Sequence, residues 1–232
     1  MRRCLVLIVL LFTYPVFAQS GIGFRAAAGF GLMIYQPDLG PLNSQLNTLS
    51  MPAIDKPMVL YGGQIIGQIK NRLRLGIMSY KGSASVEDLA NGYARKASFQ
   101  MGWSGLQVEY CTPVFHGFEA FGGSSFGYGG VDVRLEKTHS PVDWGGIWDQ
   151  FVAGDPSTQN LSIELHHSFF LVQPRLGLRF YLRDWMAVSG SVELPLLKLN
   201  SGGWSVNGSD VNGAPSLDLT SPLFQFSVMV GV

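Results

Sequence analysis

Apolar side chains recur at every second position over most of this chain. At its C-terminal end Phe224, Phe226, Val228, Val230 and Val232 alternate with Gln225, Ser227, Met229 and Gly231. Residues 22–34 put Ile22, Phe24, Ala26, Ala28, Phe30, Leu32 and Ile34 on one face, and Gly23, Arg25, Ala27, Gly29 and Gly31 on the other. Residues 168–182 put Phe170, Val172, Leu176, Leu178, Phe180 and Leu182 opposite Gln173, Arg175, Gly177 and Arg179. A period of two is the signature of a two-faced β-strand. After the first residues no stretch reaches the ~18 to 20 consecutive apolar residues that a spanning helix needs. The positive mean hydropathy of +0.20 therefore resides in strands.

The pattern predicts eight strands, near 21–35, 58–69, 72–81, 97–112, 117–135, 166–182, 185–198 and 222–232. Two of them change phase. Phe99, Met101 and Trp103 hand over to Leu106, Val108 and Tyr110; Phe126 and Tyr128 hand over to Val131, Val133 and Leu135. Both handovers fall at glycines, Gly105 and Gly129-Gly130, where a β-bulge is expected to flip the face. Short connections (70–71, 113–116, 183–184) alternate with long ones (36–57, 82–96, 136–165, 199–221). Structureless loops of that length are uncommon in compact soluble domains, whereas tight turns at one end and long loops at the other mark a membrane barrel.

Met1-Arg2-Arg3-Cys4 followed by apolar Leu5–Phe12, with Val16-Phe17-Ala18 placing small residues where cleavage needs them, reads as a secretory signal over residues 1–18, with the barrel domain over 19–232. Taking Arg2 and Arg3 from the 16 basic residues leaves 14 against 16 acidic, so no basic field points to nucleic acid. Cys111 is then the only cysteine, without a partner for an internal disulfide.

Parity alone does not separate a membrane barrel from a soluble one with an apolar lumen. The less apolar face decides. It carries Gly, Ala, Ser and Gln in place of the Lys, Glu and Thr that a wet exterior needs, and Lys56, Lys70, Lys81, Lys96, Lys137 and Lys198 all fall in loops, turns or strand ends. The mid-strand charges are Arg25, Arg74, Glu109, Glu119, Arg175, Arg179 and Glu193. Facing lipid, an arginine costs about 2–4 kcal/mol at mid-depth; inside a narrow barrel these groups can pair. An eight-stranded barrel is only just wide enough for its side chains to fill. The expectation is an all-β, eight-stranded, antiparallel up-and-down transmembrane barrel with a polar, largely plugged lumen.

On signal, strand pattern and loop alternation together, residues 21–232 resemble the small eight-stranded outer-membrane proteins of Gram-negative bacteria, the OmpA and OmpX type of barrel. The resemblance implies the outer membrane as location, membrane lipid and lipopolysaccharide as surroundings, the barrel assembly machinery as a partner, and no cofactor. No periplasmic peptidoglycan-binding domain is expected after the barrel. Such barrels commonly end in an aromatic residue; here the last residue is Val232, with Phe224 and Phe226 further in. Aromatic girdles are expected from Tyr110, Phe118, Phe180, Tyr181 and Trp185 near the short turns, and from Tyr35, Tyr61 and Tyr80 near the long loops.

Chemistry is sparse. Some barrels of this size, the lipid A deacylases, use a His-x-Ser pair near the outer rim with a Glu nearby. This chain has His166-His167-Ser168, with Glu164 on the same parity, which follows the logic of an activated nucleophile. Same-face neighbours on a strand lie ~6.6 Å apart, so stretched hydrogen bonds are expected. The plainer reading is that these groups mark the wet end of a strand, and the chain is not expected to be an enzyme. Asp155, Asn207, Asp210 and Asn212 suit turns better than a Ca²⁺ loop. His116 and His139 have no ligand spacing around them, and the glycine-rich stretches are not phosphate loops. Trp144, Trp148 and Phe151 in the third long loop, with Trp204 in the fourth, either fold over the barrel mouth or meet an unknown surface ligand. The expected role is structural or surface-interacting through four external loops. A lipid-modifying enzyme, a narrow solute channel and a secreted lipocalin-like binder are the alternatives.

Overall fold

The computed structural model describes residues 26–70, 72–90, 92–139 and 161–231. The expected leader, Arg25, Trp144, Trp148, Phe151 and Asp155 lie outside them. The described chain runs β1 (Ala26–Tyr35), α1 (Gly40–Thr48), β2 (Met58–Lys70), β3 (Leu73–Ala90), β4 (Tyr93–Phe115), β5 (Phe118–His139), β6 (Leu161–Arg183) and β7 (Met186–Glu193). Four short strands follow, β8 (Lys198–Leu199), β9 (Trp204–Val206), β10 (Ser209–Asp210) and β11 (Leu217–Asp218), and then β12 (Leu223–Val230). Neighbours β1 to β6 pair antiparallel in order. β12 joins β1 to β7, and β7 pairs with β6, so eight strands close a ring. No helix among the described residues is long and apolar enough to cross a membrane.

The lower part of this ring is apolar outside and polar inside. Phe30, Leu75, Phe126, Leu176 and Phe226 point outward, and Leu176 is 69% exposed. Gln64, Arg74, Glu109, Arg179 and Gln225 point inward and are buried. A sheet with that outer surface is stable in lipid and not in water, so the lipocalin-like arrangement, apolar inside and wet outside, is excluded for this part of the barrel.

The ladders from β3 to β6 run without a register shift through Gly105 and Gly129-Gly130. The expected bulges are absent. The phase change seen in the sequence is a change in what surrounds one unbroken strand. Ser79, Ser104, Tyr128 and Phe170 form one outward row across the four strands, and Lys81, Gly102, Gly130 and Ser168 the next row up. Below this boundary the outward residues are apolar: Ile77, Leu106, Phe126 and Val172. Above it they are Ser83, Gln100, Asp132 and His166, then Ser85, Ser98, Arg134 and Glu164. The inward face turns over too, from Glu109 and Gln107 to Trp103, Met101 and Phe99. Lipid outside pairs with a polar interior, and water outside with an apolar one. A membrane crossing takes ~9–11 tilted residues, whereas β4 has 23, so about half of it stands above the bilayer.

The upper core is covered by the loops. The expected loop 82–96 is strand nearly throughout, since β3 and β4 pair up to Ala90 and Tyr93 around a turn in which Gly92 takes φ +77, a left-handed value that suits glycine. In the first loop Pro41 opens α1, where its missing N–H is harmless. Leu42 and Leu46, one helical turn apart, pack with Leu39, Met51 and Ile54 into the core that holds Phe99 and Met101. Asn43 pins the returning chain, accepting from the Ile54 N–H at 2.8 Å and donating to its carbonyl at 3.2 Å. After β7 the chain continues up the free edge of β6 through Leu194 and Leu196, and β9 pairs there with His166 and His167.

Candidate functional site

Two polar constellations stand out, one inside the membrane zone and one on its outer rim. Inside, the ladder sets Arg74 opposite Glu109 and Arg175 opposite Glu193, and the side chains meet across the lumen. Arg179 is the hub. Its Nη1 donates to Glu119 at 2.9 Å and its Nη2 to Glu109 at 3.0 Å, and its guanidinium lies 4.9 Å from the centre of the Phe121 ring. Arg74 makes a two-point pair with Glu119 and donates to Tyr181 Oη at 2.9 Å. Arg175 reaches Glu193 at 3.0 Å, Glu109 at 3.5 Å and the side-chain Oε1 atoms of Gln107 and Gln225 at 2.8 and 3.0 Å.

Three guanidinium groups thus face three carboxylates in one connected network. Arg179 and Glu193 are each 1% exposed, and Glu109 not at all. The structure brings together all six members of the expected charge set that it describes. It also adds neutral partners to the charges. Tyr80 accepts from Gln225 Nε2 at 2.6 Å, and Gln173 and Ser191 both donate to Glu193. Glycine makes room among them: a Cβ on Gly76 would lie 2.9 Å from Gln107 Nε2. Tyr35, Tyr80 and Tyr181 are correspondingly not girdle residues. All three face inward, Tyr35 and Tyr80 at 1% exposure, and only Tyr61 of the upper three faces out.

On the rim, Asp132 and His166 are register partners on β5 and β6, and so are Gly130 and Ser168. All four face outward. The imidazole lies across Gly130, where a Cβ would come within 2.8 Å of its Cε1. Lying there, the ring spans the interval between its two neighbours. Its Nδ1 is 2.6 Å from Asp132 Oδ1 and its Nε2 is 3.1 Å from Ser168 Oγ. The expected stretching of the His–Ser contact is not found, because Gly130 leaves the bed of the ring open. Glu164 takes no part: it accepts from Arg134 Nη2 at 2.5 Å and Nε at 3.1 Å. The carboxylate beside the imidazole is Asp132, which the sequence reading missed because the supposed bulge at Gly129-Gly130 moved it to the wrong face. A strand read straight through from Tyr128 places Asp132 outward with His166.

Trp204 is 2% exposed; its Nε1 donates to the Pro215 carbonyl at 3.1 Å and its ring meets His167 edge-on at 5.2 Å. It is a core residue of the cap and offers no surface to a partner. Cys111 is buried and free. No group of His, Cys, Asp or Glu among the described residues is arranged to hold a metal ion.

No protein-family model matches this chain, and no curated protein sequence matches it. Solved structures of bacterial barrels are similar in outline. Ail of Yersinia pestis, solved with the heparin analogue sucrose octasulfate, has 9% identity over 89% of this chain and 96% of its own, with a TM-score of 0.45. Neisserial surface protein A has 10% identity over 90% and 97%, also at 0.45. CarO of Acinetobacter baumannii has 13% identity over 90% and 97%, at 0.40. Likenesses this low bear on no activity, and the barrel is established by its own closed ladder.

Proposed function

We propose that the protein is an integral barrel of the bacterial outer membrane that conducts no solute and serves a structural or surface-interaction role through its raised outer cap. The observation that carries this reading is the two-zone interior. Within the bilayer the cross-section is filled by the Arg179–Glu109–Glu119 network, and above it by the apolar core around Phe99. A solute would have to break paired, buried charges and then pass through packed hydrocarbon. The turned-over outer faces of β3 to β6 stand in water and present Lys81, Arg134, Glu87 and Lys96 to the headgroup region and beyond. Lipopolysaccharide and lipid are the natural surroundings of that surface, and the barrel assembly machinery the natural route of insertion.

Planar-bilayer recording tests the closed lumen. The wild-type protein is expected to give no single-channel steps, and the Arg175→Ala/Arg179→Ala variant to stay silent as well, because the apolar core around Phe99 still closes the upper barrel. Regular steps from the wild type would refute a non-conducting barrel.

A further inference from the structure

We propose that Ser168, His166 and Asp132 form an ester-hydrolysing site that removes an acyl chain from a lipid of the outer leaflet. This goes beyond the structural role above and stands whether or not the lumen conducts. A cross-strand Asp–His pair on an exposed surface would by itself be an ion pair worth little. What that pair does not explain is Gly130, which gives up side-chain packing in the middle of a strand. Its effect is to let the ring lie flat and reach Ser168 at 3.1 Å while still held by Asp132 at 2.6 Å. Nucleophile, base and orienting carboxylate are thus aligned in the order that ester chemistry uses.

The height of the site chooses the substrate. Ser168 lies in the first outward row above the apolar belt, with Phe170 and Tyr128 directly beneath it, each 64% exposed. Acyl chains run down that belt, and the ester that joins a chain to its headgroup sits at the top of it. Ser168 Oγ forms a bond to the ester carbonyl carbon while His166 Nε2 takes the hydroxyl proton. Asp132 accepts a hydrogen bond from Nδ1–H and holds the ring in place. The ester C–O bond then breaks, and the proton passes from Nε2 to the departing alcohol of the headgroup. A water molecule, deprotonated by His166, releases the fatty acid and restores Ser168. Solvent is left to meet the developing oxyanion, and turnover is expected to be slow.

The test uses the full protein folded in detergent and in vesicles. A fluorophosphonate probe is expected to label Ser168, not to label Ser168→Ala, and to label His166→Ala at least ~100-fold more slowly, the usual contribution of a positioned base. Gly130→Val is expected to slow labelling, and Glu164→Gln to leave it unchanged. Asp132 acts through His166, so Asp132→Asn is expected to lower kcat on p-nitrophenyl butyrate with KM held. Fatty acid released from phosphatidylethanolamine vesicles would identify phospholipid as the ester source; release only when lipopolysaccharide is added would identify that lipid instead. No labelling of Ser168 and no fatty acid from either vesicle, from protein that shows the heat-dependent gel shift of a closed barrel, would overturn the proposal.

Discussion

Arg179 shows how much one residue carries in a barrel this narrow. Its two terminal nitrogens hold Glu109 and Glu119 apart while engaging both. Removing the guanidinium leaves two carboxylates facing one another in a space that Arg74 and Arg175 alone must neutralise. Breaking a buried pair from one side typically costs about 3–5 kcal/mol, because the remaining charge stays desolvated. Arg179→Ala is expected to lose that much stability, measured by urea titration of the folded barrel in lipid. An equally stable variant would mean that water enters the lumen and solvates the freed carboxylates. Ser168 and Asp132 illustrate the opposite situation. They are partly exposed, their removal touches no core, and their variants are expected to fold normally.

At the scale of elements, the cap depends on segments that are not strands of the ring. Arg95, near the tip of the β3–β4 hairpin, donates to the Leu49 carbonyl at 2.7 Å and the Ser50 carbonyl at 3.4 Å, and pairs with Asp88. This single side chain ties the end of α1 to the hairpin, while Leu42 and Leu46 anchor the helix from below. Leu46→Asp is expected to lift α1 from its seat by burying an unpaired charge otherwise. External protease should then cut within residues 36–57, with the heat-dependent gel shift of the ring retained. Loss of that shift as well would mean that the cap and the membrane zone fold as one unit.

For the whole molecule, the level at which both faces of β3 to β6 turn over defines the outer surface of the bilayer. The same substitution is therefore expected to have different effects on either side of it. Leu75→Arg places a charge toward lipid and is expected to cost about 2–4 kcal/mol. Ser85→Arg lies on the same strand and the same side in terms of the ladder but one boundary higher, and is expected to cost close to nothing. The measurement is again equilibrium unfolding in vesicles. Equal costs would place the boundary elsewhere and take Ser168 away from the lipid ester level.

The sequence by itself determined the eight strands of the ring, their antiparallel order and the inward position of Arg74, Glu109, Arg175, Arg179 and Glu193. Alternation is a local property, and one strand read alone shows which residues share a face. It did not determine what each face touches. Phe99 and Glu109 lie on the same inward face of β4, but period two says nothing of height, so the change of surroundings looked like a change of register. Nor did it give Asp132 to His166 or Tyr80 to Gln225, which are 34 and 145 residues apart. Those contacts exist only once the ladder fixes which rows lie side by side. The tertiary structure decided them because cross-strand register, the filling of a narrow interior and the depth of the bilayer are set jointly by the closed ring.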